Sequence, residues 1–157
     1  PVIIVGQDVG EQAEVAARHI MVARRRDEQG HVDVVFAGHV HNYQRSFPMT
    51  VTVKQTQRAA AAGPNAHLVD AVWKLDKNYD GKENTKPKGI IYLVTGAGGA
   101  HLYNPEQQSD PSTWREFTTK FIAAQNSFTL VDIDGKKFTA KQVGADGSIL
   151  DQFAITK

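Results

Sequence analysis

VVFAGHVHNYQR, residues 34–45, is the stretch on which the reading of this chain turns. Val34, Val35 and Phe36 form a short, near-continuous apolar run, the composition of a strand buried in a layered sheet. Gly38 follows, the kind of residue a tight and unusual turn requires. His39 and His41 then stand two positions apart, with Tyr43 and Arg45 at the next alternate places. On an extended segment the two imidazoles would share a face, whereas on a loop past a strand end the turn sets their aim. There they can reach two metal ions, one ring each. Imidazole is a borderline ligand that suits Zn, Fe and Cu, and the loop at a strand's C-terminal end is where sheet-based folds commonly place their sites. An isolated His-x-His is most often an ordinary pair of surface-loop histidines. Strand, glycine, His-x-His, aromatic and arginine together form a far more specific composite.

Upstream, residues 1–5 (PVIIV) read as a buried strand ended by Gly6, and residues 11–26 favour a helix. Glu11 and Glu14 at its start and Arg24, Arg25 and Arg26 at its end complement the helix dipole, so the arginine run is read as a solvated helix end. With a strand over 32–36, this predicts a strand–helix–strand crossover. Downstream, strands are expected over 49–55, 69–75 and 88–95, a loop over 55–65, and a turn over 78–81. The glycine-rich Gly96-Ala97-Gly98-Gly99 follows the third of these strands. A short helix is expected within 111–124. The C-terminal part reads as hairpins, with strands over 127–133, 137–143 and 149–155 and turns at Asp134-Gly135 and Asp146-Gly147. The predicted fold class is α/β at the front and β-rich behind, with 1–48 and 49–157 as two parts of a single partial domain.

The composition excludes several classes. Of 157 residues, 41% are hydrophobic and 22% charged, an ordinary globular balance rather than a disordered tail. The net charge is +1, from 18 basic and 17 acidic residues, which offers no broad capture of nucleic acid or of a membrane surface. There is no cysteine, hence no disulfide, thiolate metal ligand or thiol nucleophile. No apolar run approaches the ~18 residues of a membrane span, and no signal-peptide pattern opens the chain. It begins at Pro1 rather than Met, from which an internal start is expected.

Gly38-His39-Val40-His41-Asn42-Tyr43-Gln44-Arg45 resembles the last metal-binding motif, GHxHxYxR, of purple acid phosphatases, members of the calcineurin-like metallophosphoesterases. The segments 72–81 and 89–99 and the terminal hairpins are similar to the C-terminal half of bacterial members, so the resemblance covers about residues 11–157. It implies a four-layer α/β/β/α sandwich, of which this chain is the C-terminal half, with two metal ions between the sheets. The activity it implies is hydrolysis of phosphate esters by metal-activated water. His39 would bind the divalent metal (Zn, Mn or Fe) and His41 the other, typically ferric iron. Each would donate its second ring N–H to an acceptor. Arg45 is expected to pair locally or brace the loop rather than touch phosphate, Tyr43 to pack, and His101 to lie near the metals without binding them. An extracytoplasmic location is what the family suggests.

The family's other ligands, in GD, GNH and further His motifs, are missing from this sequence. Val5-Gly6-Gln7-Asp8 echoes one of them only superficially. Two histidines cannot neutralise a charged two-metal centre, so the chain is expected to be inactive without an N-terminal half or another chain. The alternative is a non-catalytic β-rich binding module with a vestigial motif. Asp76, Asn78, Asp80 and Gly81 match the first half of a calcium-binding EF-hand loop, but Pro87 stands where a bidentate Glu is required, and an Asx-rich turn is the better reading. Gly96 to Gly99 lack the lysine of a phosphate-binding loop and are expected to approach the metal loop closely. His19, His31 and His67 are assigned to surface or core.

Overall fold

A computed structural model describes residues 21–23, 32–54 and 70–157. Ten strands account for half of them: β1 (Met21–Ala23), β2 (Val34–Ala37), β3 (Tyr43–Ser46), β4 (Met49–Lys54), β5 (Asp70–Leu75), β6 (Ile91–Thr95), β7 (Thr118–Ile122), β8 (Ser127–Asp134), β9 (Lys137–Gly144) and β10 (Ile149–Thr156). Two short 3-10 segments, Pro105–Ser109 and Pro111–Thr113, precede β7. No α-helix occurs among the described residues, and none of their helices is long and apolar enough to cross a membrane.

The strands form a five-stranded mixed sheet in the order β1-β2-β6-β3-β7, an antiparallel three-stranded sheet β10-β9-β8, and a β4-β5 ribbon. Within the mixed sheet β2 and β6 run parallel, and every other pairing is antiparallel. Residues at alternate positions of the two larger sheets build one core. Val34 and Phe36 of β2, Ile91 and Leu93 of β6, Tyr43 of β3 and Ile122 of β7 meet Phe138 and Ala140 of β9 and Phe153 and Ile155 of β10. This is period-two patterning with the apolar face turned inward. Burial of each large side chain contributes roughly 1.5–3 kcal/mol.

Polar groups also tie the layers together. Thr95 of β6 and Thr129 of β8 share a 2.7 Å hydroxyl hydrogen bond, and buried Gln142 of β9 accepts from Thr129 Oγ1 (2.6 Å) and donates to Ser127 Oγ (2.7 Å). The ribbon is fastened where Met49 and Ile90 exchange two backbone hydrogen bonds of 2.9 Å.

Three expectations change. Residues 21–23, placed within the predicted helix, pair antiparallel with β2 instead, and the rest of that helix lies outside the described residues. The parallel neighbour of β2 is β6, some fifty residues later in the chain. The segment 111–124 holds a 3-10 turn and then β7, not an α-helix, because the β-branched residues of TTKFI complete the sheet edge beside β3. The strand over 1–5, the loop over 55–65, Arg24 to Arg26, and His19, His31 and His67 all lie outside the described residues.

Candidate metal-ligand loop

The loop joining β2 to β3 leaves the sheet beside the segment that follows β6. Because β2 and β6 are parallel neighbours, both segments emerge at the same end of the sheet. The backbone of residues 38–42 folds tightly. Val40 N–H donates to the Gly38 carbonyl (2.9 Å) and Asn42 N–H to the Val40 carbonyl (2.8 Å), so each histidine is the middle residue of a three-residue turn. His39 has φ 74°. A positive φ with an i to i+2 hydrogen bond marks the rarer and more strained γ-turn. The unusual conformation therefore falls on His39 and not on Gly38, which has no positive φ. Strain of this sort costs about 1–3 kcal/mol and clusters at functional sites.

The second segment holds the first in place. Gly96 N–H donates to the Asn42 carbonyl (3.1 Å), and a Cβ at Gly96 would overlap the Val40 carbonyl oxygen and lie 2.9 Å from its carbon. The close backbone approach expected of the glycine-rich stretch is thus present. Further along, Tyr103 N–H donates to the His41 carbonyl (2.9 Å), and the Tyr103 ring stacks on the His41 imidazole at 4.4 Å between centroids and 19° between planes. His41 Nδ1 lies 2.8 Å from the His101 carbonyl oxygen. A carbonyl only accepts, so Nδ1 carries the proton and, in the neutral ring, Nε2 keeps the lone pair. Metal-binding imidazoles are commonly held in this way. His101 meets His41 through its backbone, and its own ring is exposed. The His39 ring makes no hydrogen bond or ring contact with the described residues.

Arg45 is turned away from the loop and into the core. Its Nε and Nη2 donate to the Asp151 carboxylate of β10 at 2.7 and 3.0 Å, and its guanidinium lies 5.0 Å from the centre of the Phe153 ring. Tyr43 Oη donates to the same carboxylate (2.8 Å). Burial alone would lower the Arg45 pKa, but the hydrogen bonds and charge of Asp151 raise it above the usual arginine value. Burial, and then the negative charge of Asp151, push the Tyr43 phenol far above its ordinary range. Both residues brace β3 against the second sheet. Asp151 had no signal of its own in the sequence.

Among the described residues no group of three or more His, Asp or Glu is placed to hold a metal ion. Two imidazoles carry no negative charge, so these residues do not make up a two-metal centre by themselves. The segment 76–81 takes the form of the Asx-rich turn expected of it. Asp76 accepts from Asn78 N–H (3.2 Å) and Lys88 N–H (2.8 Å), while Asp80 Oδ1 accepts from the N–H groups of Lys82, Glu83 and Asn84 at 2.7–3.0 Å. The Lys82 N–H bond is the main reason the Asp80 pKa falls below the usual carboxylate value. Asn84 Nδ2 donates to the Asn78 carbonyl (3.0 Å), and the loop is a self-satisfied Asx turn.

No family model and no solved structure matches the chain. It is 28% identical over 127 residues to an Arabidopsis thaliana protein named "Probable inactive purple acid phosphatase 1". The aligned stretch covers 80% of this chain and 16% of that protein, so the chain spans less than a fifth of the relative's length. The likeness is distant and supports a purple acid phosphatase-like relationship.

Proposed function

We propose that this chain is the C-terminal portion of a purple-acid-phosphatase-like metallophosphoesterase, a single partial domain in which residues 38–42 supply the last metal-ligand motif. His39 and His41 are the ligands, and phosphate esters are the substrate class. In this reading the β-sandwich is the inner part of a four-layer α/β/β/α fold. Iron with zinc, manganese or a second iron is the metal pair implied, and the carboxylates that would neutralise it come from polypeptide outside the described residues. Bound there, the metals would supply an activated water. The task of this chain is to hold two imidazoles at the sheet end and to fix their supporting loop through Gly96.

The observation that carries the proposal is the hold on His41. Its Nδ1–H is spent on the His101 carbonyl, which leaves Nε2 as the ligand atom. A second reading, a non-catalytic relative, is favoured by the relative's name and by the absence of a third ligand among the described residues. Metal content and p-nitrophenyl phosphate hydrolysis of the full natural polypeptide, with His39→Ala and His41→Ala variants, separate the two. The enzyme reading expects both variants to lose turnover and bound metal. Turnover unchanged in both would remove it, and metal bound through both histidines without any turnover would establish the second reading.

A further inference from the structure

Three contacts converge on one residue, two of them on its ring, and all come from one short segment. The His101 carbonyl accepts the hydrogen bond from His41 Nδ1–H, Tyr103 N–H fixes the His41 carbonyl, and the Tyr103 ring lies flat against the imidazole. A hydrogen bond alone leaves a ring free to tilt about the bond, and stacking alone leaves it free to flip by 180° and exchange its nitrogens. Together they remove both freedoms. We infer that Tyr103 is a positioning residue, which with the His101 carbonyl presets His41 as the Nδ1–H tautomer in a fixed plane, so that a metal ion is met by Nε2 without reorganisation.

The inference deepens the metal-ligand reading and rests on it for its functional meaning, although the preset ring is a property of the chain itself. The phenol hydroxyl takes no part, since Tyr103 acts through its ring face and its backbone. Tyr103 is 42% exposed and β6 and β7 lack any need of it as core, so its removal leaves the sandwich intact. An imidazole side chain free in water prefers the other tautomer, Nε2–H, which makes the expected state diagnostic.

The test is a long-range 1H–15N correlation spectrum of the 15N-labelled chain, recorded where His41 is neutral, on wild type, Tyr103→Phe and Tyr103→Ala. Wild type and Tyr103→Phe should show His41 as the Nδ1–H tautomer with its ring protons shifted upfield by the stacked ring. Tyr103→Ala should lose the upfield shift and show tautomer exchange. Zn2+ titration of the same proteins should give a 10–100-fold weaker site in Tyr103→Ala and wild-type affinity in Tyr103→Phe. A predominantly Nε2–H His41 in wild type, or a Tyr103→Ala spectrum indistinguishable from wild type, overturns the inference. Should the spectra behave as described while the full natural polypeptide binds no metal, the preset ring stands and the metal-ligand reading fails.

Discussion

Asp151→Ala removes the acceptor that three donors share, and its cost follows from the geometry. Arg45 and Asp151 side chains are 11% and 8% exposed and joined by two hydrogen bonds, so solvent screens the pair little. Without the carboxylate, a guanidinium and the Tyr43 hydroxyl are left buried and unpaired. Breaking one side of such a pair costs about 3–5 kcal/mol, a large part of the ~5–15 kcal/mol that holds a typical domain together. With a urea slope of about 2 kcal/mol/M, the unfolding midpoint should fall by roughly 2 M. The double variant Arg45→Met, Asp151→Leu removes both charges and keeps the volume, and replacements of that kind are often neutral or stabilising. It should therefore recover the part of the loss that comes from the unpaired guanidinium, leaving the cost of the unpaired Tyr43 hydroxyl, about 1–3 kcal/mol. The reasoning fails if the double variant is as unstable as Asp151→Ala, or if Asp151→Ala itself costs less than about 1 kcal/mol, the worth of an exposed pair.

His39→Gly should relieve the positive φ; set against glycine's extra backbone entropy, the gain is about 1 kcal/mol, read as a rise of roughly 2–4 °C in the thermal midpoint, with a loss of zinc affinity in the same protein. A destabilised variant would show that the turn is not strained. Gly96→Ala should push the Val40 carbonyl away and cost about 1–3 kcal/mol in chemical denaturation, and wild-type stability would contradict the close approach. Tyr79 is buried, its hydroxyl donates to the Ala154 carbonyl, and burial raises its pKa well above the usual phenol value. Its neutral form therefore contributes stability that is present below the unfolded value of ~10 and is lost as pH rises past it, at up to about 1.4 kcal/mol per pH unit. Stability measured from pH 9 to 12 should fall less steeply in Tyr79→Phe, and parallel curves would show no such linkage.

The hairpins at the C-terminus were legible because alternation and two Asp-Gly turns coincide, and Gly135 and Gly147 do take positive φ there. β3 was not legible. Tyr43-Gln44-Arg45-Ser46 carries no apolar run, and what makes it a strand is pairing on both edges plus an ion-pair partner on β10. β7 was hidden by the proline at 111, which draws attention to a helix start. β1 shows tertiary pairing prevailing over the weak helix preference of an alanine-rich stretch. At the site, the His-x-His and the glycine approach were readable in the sequence. Backbone strain at His39 was not, since glycine and not histidine is the residue expected to take such a φ, and the grip of residues 101–103 was not, since it comes from a loop about sixty residues away.

The same ion pair spans 106 positions of sequence. At a translation rate of about 5–20 residues per second, some 5–20 s pass between synthesis of the arginine and of its acceptor. Throughout that interval the guanidinium must stay hydrated, so β3 cannot settle against a second layer that does not yet exist. The histidine turn, anchored at one end by β3, is accordingly one of the last parts of the chain to acquire its shape on the ribosome.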